Sequence, residues 1–357
     1  MSADVKKEFE FLLKKAFEAE ASDLHFTVRS PPIIRVNGVL KPLDTEVLKP
    51  SQTENYAKSI LNEKLYEFFE QNGEVDFSIS VPGISRFRVN VYRQRNSVSI
   101  AARIVPTKIP TLEELRLPPV LSQLSNKSHG LVLITGPTGS GKSTTLAAMI
   151  DYINQNGRKH IITLEDPIEY LHSHGKSIID QREVGLDTLN FTTGLRAALR
   201  QDPDVLLVGE MRDPETISTA ITAAETGHLV LATLHTIDAM QTIDRIVDSF
   251  PGSQQAQIRI QLSLVLEGVV SQRLLTNKSG QGRVCATEVL INNHAVANLI
   301  RNEKVHQLKS IMQTNGMIGM HTMEMSLKEL LRKNLIDEKT AKTYLSEGKD
   351  QDASIRI

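Results

Sequence analysis

The chain has no tryptophan, and phenylalanine and tyrosine bring its aromatic share to only 4% of 357 residues. Proteins that hold single-stranded nucleic acid stack bases on aromatic side chains along a basic track. With 41 Lys and Arg against 42 Asp and Glu, a formal net charge of -1, neither the platform nor the track is supported. A single cysteine, Cys285, excludes an internal disulfide and any cysteine-based zinc site, and makes the reducing cytosol the natural compartment. Long apolar runs are missing too. "LVLIT" and "VLLVG" fall far short of the roughly 18 residues that cross a bilayer. The N-terminal "MSADVKKEFEFLLKKAFEAEASD" lacks the uninterrupted apolar core of a signal peptide. Any membrane role is therefore expected to run through a partner.

What is present is an ordinary globular composition, 40% apolar and 23% charged, in a chain long enough for two or three domains. Val5, Phe9, Leu12, Leu13, Ala16 and Phe17 repeat at helical spacing. Asn37-Gly38 predicts a tight hairpin turn, and Tyr56, Ile60, Leu61, Leu65 and Phe68 predict one helix near 51–71. Phe87, Val89 and Val91 alternate with Arg86, Arg88 and Asn90, as in a strand with one buried and one cationic face. Such a face is ordinarily just solvated unless something anionic lies opposite it. Four prolines between 106 and 119 break regular structure and mark a linker after a small α+β domain at 1–105. Beyond it, "GLVLIT", "HIITLED", "DVLLVGE" and "HLVLATLH" are buried-type strands separated by helical stretches. They predict a mostly parallel sheet with helices on both faces over 120–290. Residues 291–357 are expected to be helical, with a loose end at "KDQDASIRI".

Between the first of these strands and the helix after it runs "GPTGSGKST", a complete match to G-x-x-x-x-G-K-[ST]. The candidate phosphate-binding residues are Gly136, Pro137, Thr138, Gly139, Ser140, Gly141, Lys142, Ser143 and Thr144. Glycines let backbone N–H groups close around phosphate oxygens, and the helix adds the partial positive charge of its N-terminus. Lys142 is expected to bridge the β- and γ-phosphates and Ser143 to ligate Mg²⁺. "DVLLVGEMRD" has the form of a Walker B strand, with Gly209 where the magnesium-holding aspartate normally sits, so Glu210 alone is expected to orient or deprotonate the attacking water. Glu165 and Asp166 close the neighbouring strand, and Glu165 is a candidate to hold the metal through a water. His235 ends a third strand, placed to sense the γ-phosphate. A lone histidine is more often a satisfied core residue, and the strand-end position tips the balance. Asp238 with Gln241, and Asp213 before Pro214, are spaced as helix starts.

These boxes, in this order, resemble those of the secretion-superfamily ATPases of type II secretion, type IV pilus and type IV secretion systems: "GPTGSGKST", "ITLEDPIEY", "LRQDPDVLLVGEMRD" and "ATLHTIDAMQTIDRIVDSFP". "ASDLHF" and "SRFRVNVYRQR" are similar to that superfamily's N-terminal domain. Within it the chain is most similar to the type IV pilus retraction (twitching motility) ATPases. Its N-terminal part is short, it lacks the four-cysteine zinc module of assembly enzymes, and "NLIRNEKVHQLKSIMQTNGMIGMHTMEMSLKELLRKNLI" resembles their C-terminal helices. Ala297 and Asn302 depart from the Arg and Glu usual there. The resemblance implies an α/β protein with a PAS-like N-terminal α+β domain, a RecA-like P-loop ATPase core and a C-terminal helical bundle. It implies ATP with Mg²⁺ held between subunits of a homohexamer at the cytoplasmic face of the inner membrane. An inner-membrane pilus platform protein and other pilus motor ATPases are the implied partners, without nucleic acid and without membrane insertion. It also brings Arg88 and Arg103 to the phosphates, with Arg196 and Arg200 as second candidates. An assembly or DNA-uptake pseudopilus ATPase, a nucleic-acid motor and a nucleotide-gated scaffold without catalysis stay open at this point.

Overall fold

The computed structural model describes residues 2–280 and 282–344, so the "KDQDASIRI" end lies outside the described residues. The chain forms two units: one from 1–108 with 169–171, the other from 109–168 with the chain from 172 onward.

The first unit opens with helix α1 (Ser2–Glu18), then strands β1 (Asp23–Phe26), β2 (Ile33–Val36) and β3 (Val39–Pro42), helices α2 (Pro50–Ile60) and α3 (Glu63–Asn72), and strands β4 (Glu74–Val81), β5 (Ser85–Gln94) and β6 (Ser97–Ile104). The six strands make one antiparallel sheet in the order β3-β2-β1-β6-β5-β4. Asn37 and Gly38 both take positive φ, 51° and 82°, and join β2 to β3 in the expected two-residue turn. The period-2 pattern of β5 buries Phe87, Val89 and Val91 against the helices and turns Arg86, Arg88 and Asn90 outward. Phe9 of α1 stacks on Phe26 of β1 with ring centroids 4.9 Å apart, and Tyr56 of α2 closes the trio at 5.6 Å from each. The single helix expected near 51–71 is two. Leu61 is extended (φ -88°, ψ 131°), and the Asn62 side chain accepts the Leu65 N–H at 2.9 Å, which starts a new helix.

The second unit continues with α4 (Val120–Ser125), β7 (Gly130–Thr135), α5 (Lys142–Asn156), β8 (His160–Glu165), β9 (Ile178–Glu183), α6 (Phe191–Ala198), β10 (Val205–Val208), α7 (Pro214–Glu225) and β11 (Leu229–Leu234). Then come α8 (Ala239–Asp248), α9 (Gly252–Val265), β12 (Leu266–Thr276), β13 (Arg283–Ile291), α10 (His294–Arg301), α11 (Leu308–Thr314) and α12 (Met323–Arg332). The sheet order is β13-β12-β7-β11-β10-β8-β9, all parallel except β13. Both faces are covered, so its strands read as continuous apolar runs. Val132, Ile134, Ile161, Leu207 and Leu231 pack against α4 and α5. Leu131, Leu133, Ile162, Leu206 and Val230 pack against α6 to α11. The proline-rich stretch is irregular, as its composition requires, yet Leu112 and Leu117 are buried in the α5-side core.

His321 ties β13 to the C-terminal helices. It pairs through its backbone with Val289, and its ring exchanges a 2.9 Å hydrogen bond with the Thr287 hydroxyl. Burial lowers its pKa, against an opposing bond to the Gly319 carbonyl. A histidine depressed in the folded state binds its proton first in the unfolded chain, so its stabilising contribution is present above about pH 6.5 and is lost as pH falls below that. Urea titrations at pH 7 and pH 5 are expected to show a larger loss of stability in the parent than in His321→Gln. An equal loss in both contradicts this role.

Candidate functional site

In a parallel sheet every strand ends at the same edge, and ligands gather there. Here that edge brings together the ends of β7, β11, β10 and β8, neighbours in that order at about 4.8 Å spacing. After β7 comes the glycine-rich loop, after β11 His235, after β10 Gly209 and Glu210, and at the end of β8 Glu165. Because β11 stands between β7 and β10, the loop and Glu210 are separated by about two strand spacings, roughly 10 Å. That gap suits a phosphate tail and a water placed in line with it.

The loop is built by steric necessity. Gly136 has φ 141°, and a Cβ on it would lie 2.4 Å from the Gln272 carbonyl and 2.6 Å from Ser140 Oγ. No other residue fits without displacing β12. Gly139 and Gly141 share positive φ and deliver the chain to the first turn of α5, a 15-residue helix that starts at Lys142. Lys142 Nζ donates to the carbonyls of Gly136 at 2.7 Å and Pro137 at 3.1 Å, which aims the ammonium over the loop. Pro137, Thr138 and Gly139 are exposed, Ser143 and Thr144 half-buried, and Ser140 is buried with no hydrogen-bond partner for its hydroxyl.

Glu210 is held from two sides. Arg212 makes a bidentate pair with it, Nε to Oε1 at 2.6 Å and an η nitrogen to Oε2 at 2.7 Å, and His235 Nε2 lies 3.1 Å from Oε1. A carboxylate has about four lone-pair sites. These three bonds leave one on Oε2, enough to accept from a water. Burial pushes the Glu210 pKa up, but the Arg212 bond and the His235 charge outweigh it and hold the group below the usual carboxylate range. Glu210 is thus ionised at neutral pH, and its pairing is lost only as pH falls through that lowered value. Glu165 Oε1 accepts from Thr163 Oγ1 at 2.6 Å and Gln181 Nε2 at 3.1 Å, so its position is set by β8 and β9.

Gly209 explains the missing Walker B aspartate. A Cβ there would stand 3.0 Å from the Leu164 carbonyl and 3.3 Å from Glu165 Cα. The Gly209 N–H donates to Leu164 O at 2.8 Å, and its own carbonyl accepts from Thr233 Oγ1. A side chain at this point is tight: the β8 tip would have to give by a few tenths of an ångström to admit it. Among the described residues no group of three His, Cys, Asp or Glu side chains forms a metal site of its own. A hydroxyl at Ser143, with the Glu210 and Glu165 carboxylates further along the same sheet edge, suits a cation that brings phosphate and water ligands with it, as Mg²⁺ does.

Arg88 and Arg103 belong to the first unit, directly opposite each other on β5 and β6. Arg103 Nε reaches Asp23 Oδ1 at 2.8 Å. Like charges facing across a sheet are destabilising, and the Asp23 carboxylate offsets part of that repulsion by pairing with Arg103. Arg196 pairs with Glu215, and Arg200 donates to the Arg196 carbonyl at 3.0 Å, which ties both to the α6–α7 packing. Arg212, Thr163 and Gln181 were not singled out in the sequence. Arg212 follows Glu210 by two positions in "GEMRD", a spacing that offered a signal, whereas Gln181 lies on a strand whose pairing is long-range.

A model of the family described as type II/IV secretion system protein matches residues 2–339. The chain belongs to that family. Among its relatives it is 50% identical over 329 residues to the protein named type IV pilus retractation ATPase PilT of Pseudomonas aeruginosa, covering 92% of this chain and 95% of the other. It is 44% identical over 350 residues to the type IV pilus ATPase PilU of the same organism, covering 98% and 92%. A crystal structure of the pilus retraction motor PilT with bound ADP superposes with a TM-score of 0.85 at 52% identity, over 92% of this chain and 94% of that one. The Legionella pneumophila ATPase DotB follows at 0.75 and 27% identity, over 96% of each chain. A small antiparallel-sheet unit and a parallel-sheet unit are thus the fold this chain shares with those structures.

Two substitutions test the site. Glu210→Gln keeps the shape and is expected to bind nucleotide normally while hydrolysis falls by a factor of about 10² or more, the usual worth of a positioned base. Unchanged turnover would remove Glu210 from the chemistry. Gly209→Asp, which restores the common Walker B residue, is expected to lower stability by about 1–3 kcal/mol and to reduce turnover, because its Cβ displaces the β8 tip. Enhanced Mg²⁺-dependent turnover in that variant would contradict the packing argument.

Proposed function

We propose that this chain is a ring-forming motor ATPase that powers type IV pilus retraction. The observation that carries the reading is the convergence of the Lys142 loop, Glu210, Glu165 and His235 on one sheet edge. It is supported by 50% identity over nearly the whole length to a protein named for retraction. ATP is the substrate and the homohexamer the working form, at the cytoplasmic face of the inner membrane. No helix among the described residues is long and apolar enough to cross a membrane; in this reading force passes to the fibre base through a membrane platform protein.

In this mechanism the loop N–H groups and Lys142 hold the β- and γ-phosphates, and the N-terminus of α5 adds its partial charge. Mg²⁺, when bound, screens the phosphate charge, and Ser143 and a water on Glu165 would hold it. Glu210 orients the attacking water with its remaining lone pair, and His235, bonded to Glu210, registers the γ-phosphate. Arg88 and Arg103 stabilise charge developing on the transferred group. Cleavage and release then drive a conformational change in each subunit, and successive subunits convert it into movement of the ring.

The retraction reading is favoured over assembly by the printed name of the Pseudomonas aeruginosa PilT relative and by the chain's coverage of nearly its full length. Cells lacking the chain are expected to carry longer or more numerous pili and to lose twitching. Absence of pili would point to the assembly role. Arg88→Ala and Arg103→Ala are each expected to cut turnover by about 10³-fold with nucleotide binding largely kept, the scale of an arginine acting on a transferring phosphoryl group. A solvated sheet face predicts no change.

A further inference from the structure

Glu288 on β13 is 7% exposed and lies outside the hydrolytic edge. Its two carboxylate oxygens receive two helix starts. Oε1 accepts the backbone N–H of Ala239, the first residue of α8, at 3.0 Å. Oε2 accepts that of Met323, the first residue of α12, at 3.3 Å. Both amides belong to the orphan donors that every helix leaves at its N-terminus. The side chains of Asp238 and Thr322 already cap the amides of the third helical residues, Gln241 and Met325. A buried carboxylate is costly unless it is matched; burial and the nearby Asp238 carboxylate push the Glu288 pKa up, and the two backbone N–H bonds, with Lys309 of α11, offset part of that cost. Glutamine could not take its place: it has one acceptor oxygen, and its amide would meet a backbone N–H.

The position of this brace gives it a reach beyond packing. The connection Thr236–Asp238 alone separates α8 from His235, and Thr236 is itself fastened to α8 by a 2.7 Å bond to Thr242. His235 in turn touches Glu210. We propose that Glu288 is a positioning residue for hydrolysis: by joining the starts of α8 and α12 it fixes the connection that holds His235 against Glu210, and so couples turnover to the C-terminal helices. This rests on the reading of His235 and Glu210 given above.

The test is a double-mutant cycle on the full, assembled chain, with kcat for ATP and affinity for a fluorescent ATP analogue measured for the parent, Glu288→Gln, His235→Gln and the pair. Glu288→Gln is expected to lower kcat by about tenfold with affinity within about twofold of the parent, and the pair to be no slower than His235→Gln by more than about twofold. Losses that multiply in the pair, or parental kcat in Glu288→Gln, overturn the inference. Full activity in His235→Gln overturns the reading of the site itself and Glu288's role with it. Should Glu288→Gln not fold, Met323→Pro takes its place. Proline suits the first helical position, Thr322 before it is extended (φ -84°, ψ 160°), and the α12 N–H is deleted along with the Met323 side chain, whose packing beside Leu327 is controlled for by Met323→Ala. Its kcat is expected to fall several-fold in the same non-multiplying manner, and parental kcat overturns the coupling.

Discussion

A triphosphate concentrates its negative charge within a few ångströms, and a soluble fold meets such charge best where many backbone dipoles end together. The parallel sheet of the second unit supplies that place. Its strand ends bring a helix N-terminus, an ammonium and two carboxylates to one edge, and the interposed strand β11 sets the spacing between the phosphate loop and Glu210. Chemistry on this chain depends on that edge staying rigid. Its rigidity comes from two buried apolar layers, one against α4 and α5 and the other against α6 to α11.

Close backbone approach shapes the site as much as charge does. Gly136 lets the loop pass over β12, and Gly209 lets β10 meet the tip of β8, where Glu165 is fixed by Thr163 and Gln181. The second approach comes at the expense of a Walker B carboxylate. The remaining acid, Glu210, is anchored by Arg212 and His235 and kept ionised. An ionised, oriented carboxylate with one free lone pair is better suited to align a water than to take its proton outright. The pairing with His235 also means that whatever moves α8 moves the same carboxylate's environment.

Much of this was legible in the sequence, for identifiable reasons. The phosphate loop reads clearly because only glycine satisfies its backbone. The Asn37-Gly38 turn and the alternating Phe87, Val89 and Val91 read clearly because local rules decide them. Ala297 and Asn302 were visible as departures; Ala297 is buried within α10, and Asn302 sits at that helix's C-terminal end. What stayed hidden depends on partners distant in sequence. The break between α2 and α3 turns on the capping bond of Asn62, within a stretch whose apolar spacing continues unbroken. Strand β9 is half polar, and β12 follows α9 without a break before turning back into β13, so their pairing was not marked. Arg212, Gln181 and Glu288 act through contacts that no spacing rule predicts.

The account stands on phosphate capture by the loop at Lys142. The most direct measurement is nucleotide binding and hydrolysis by Lys142→Ala in the purified full chain, alongside its melting temperature. The account predicts an intact fold that binds ATP weakly and hydrolyses it at a rate near background. A well-folded variant that binds and cleaves ATP as the parent does would contradict it.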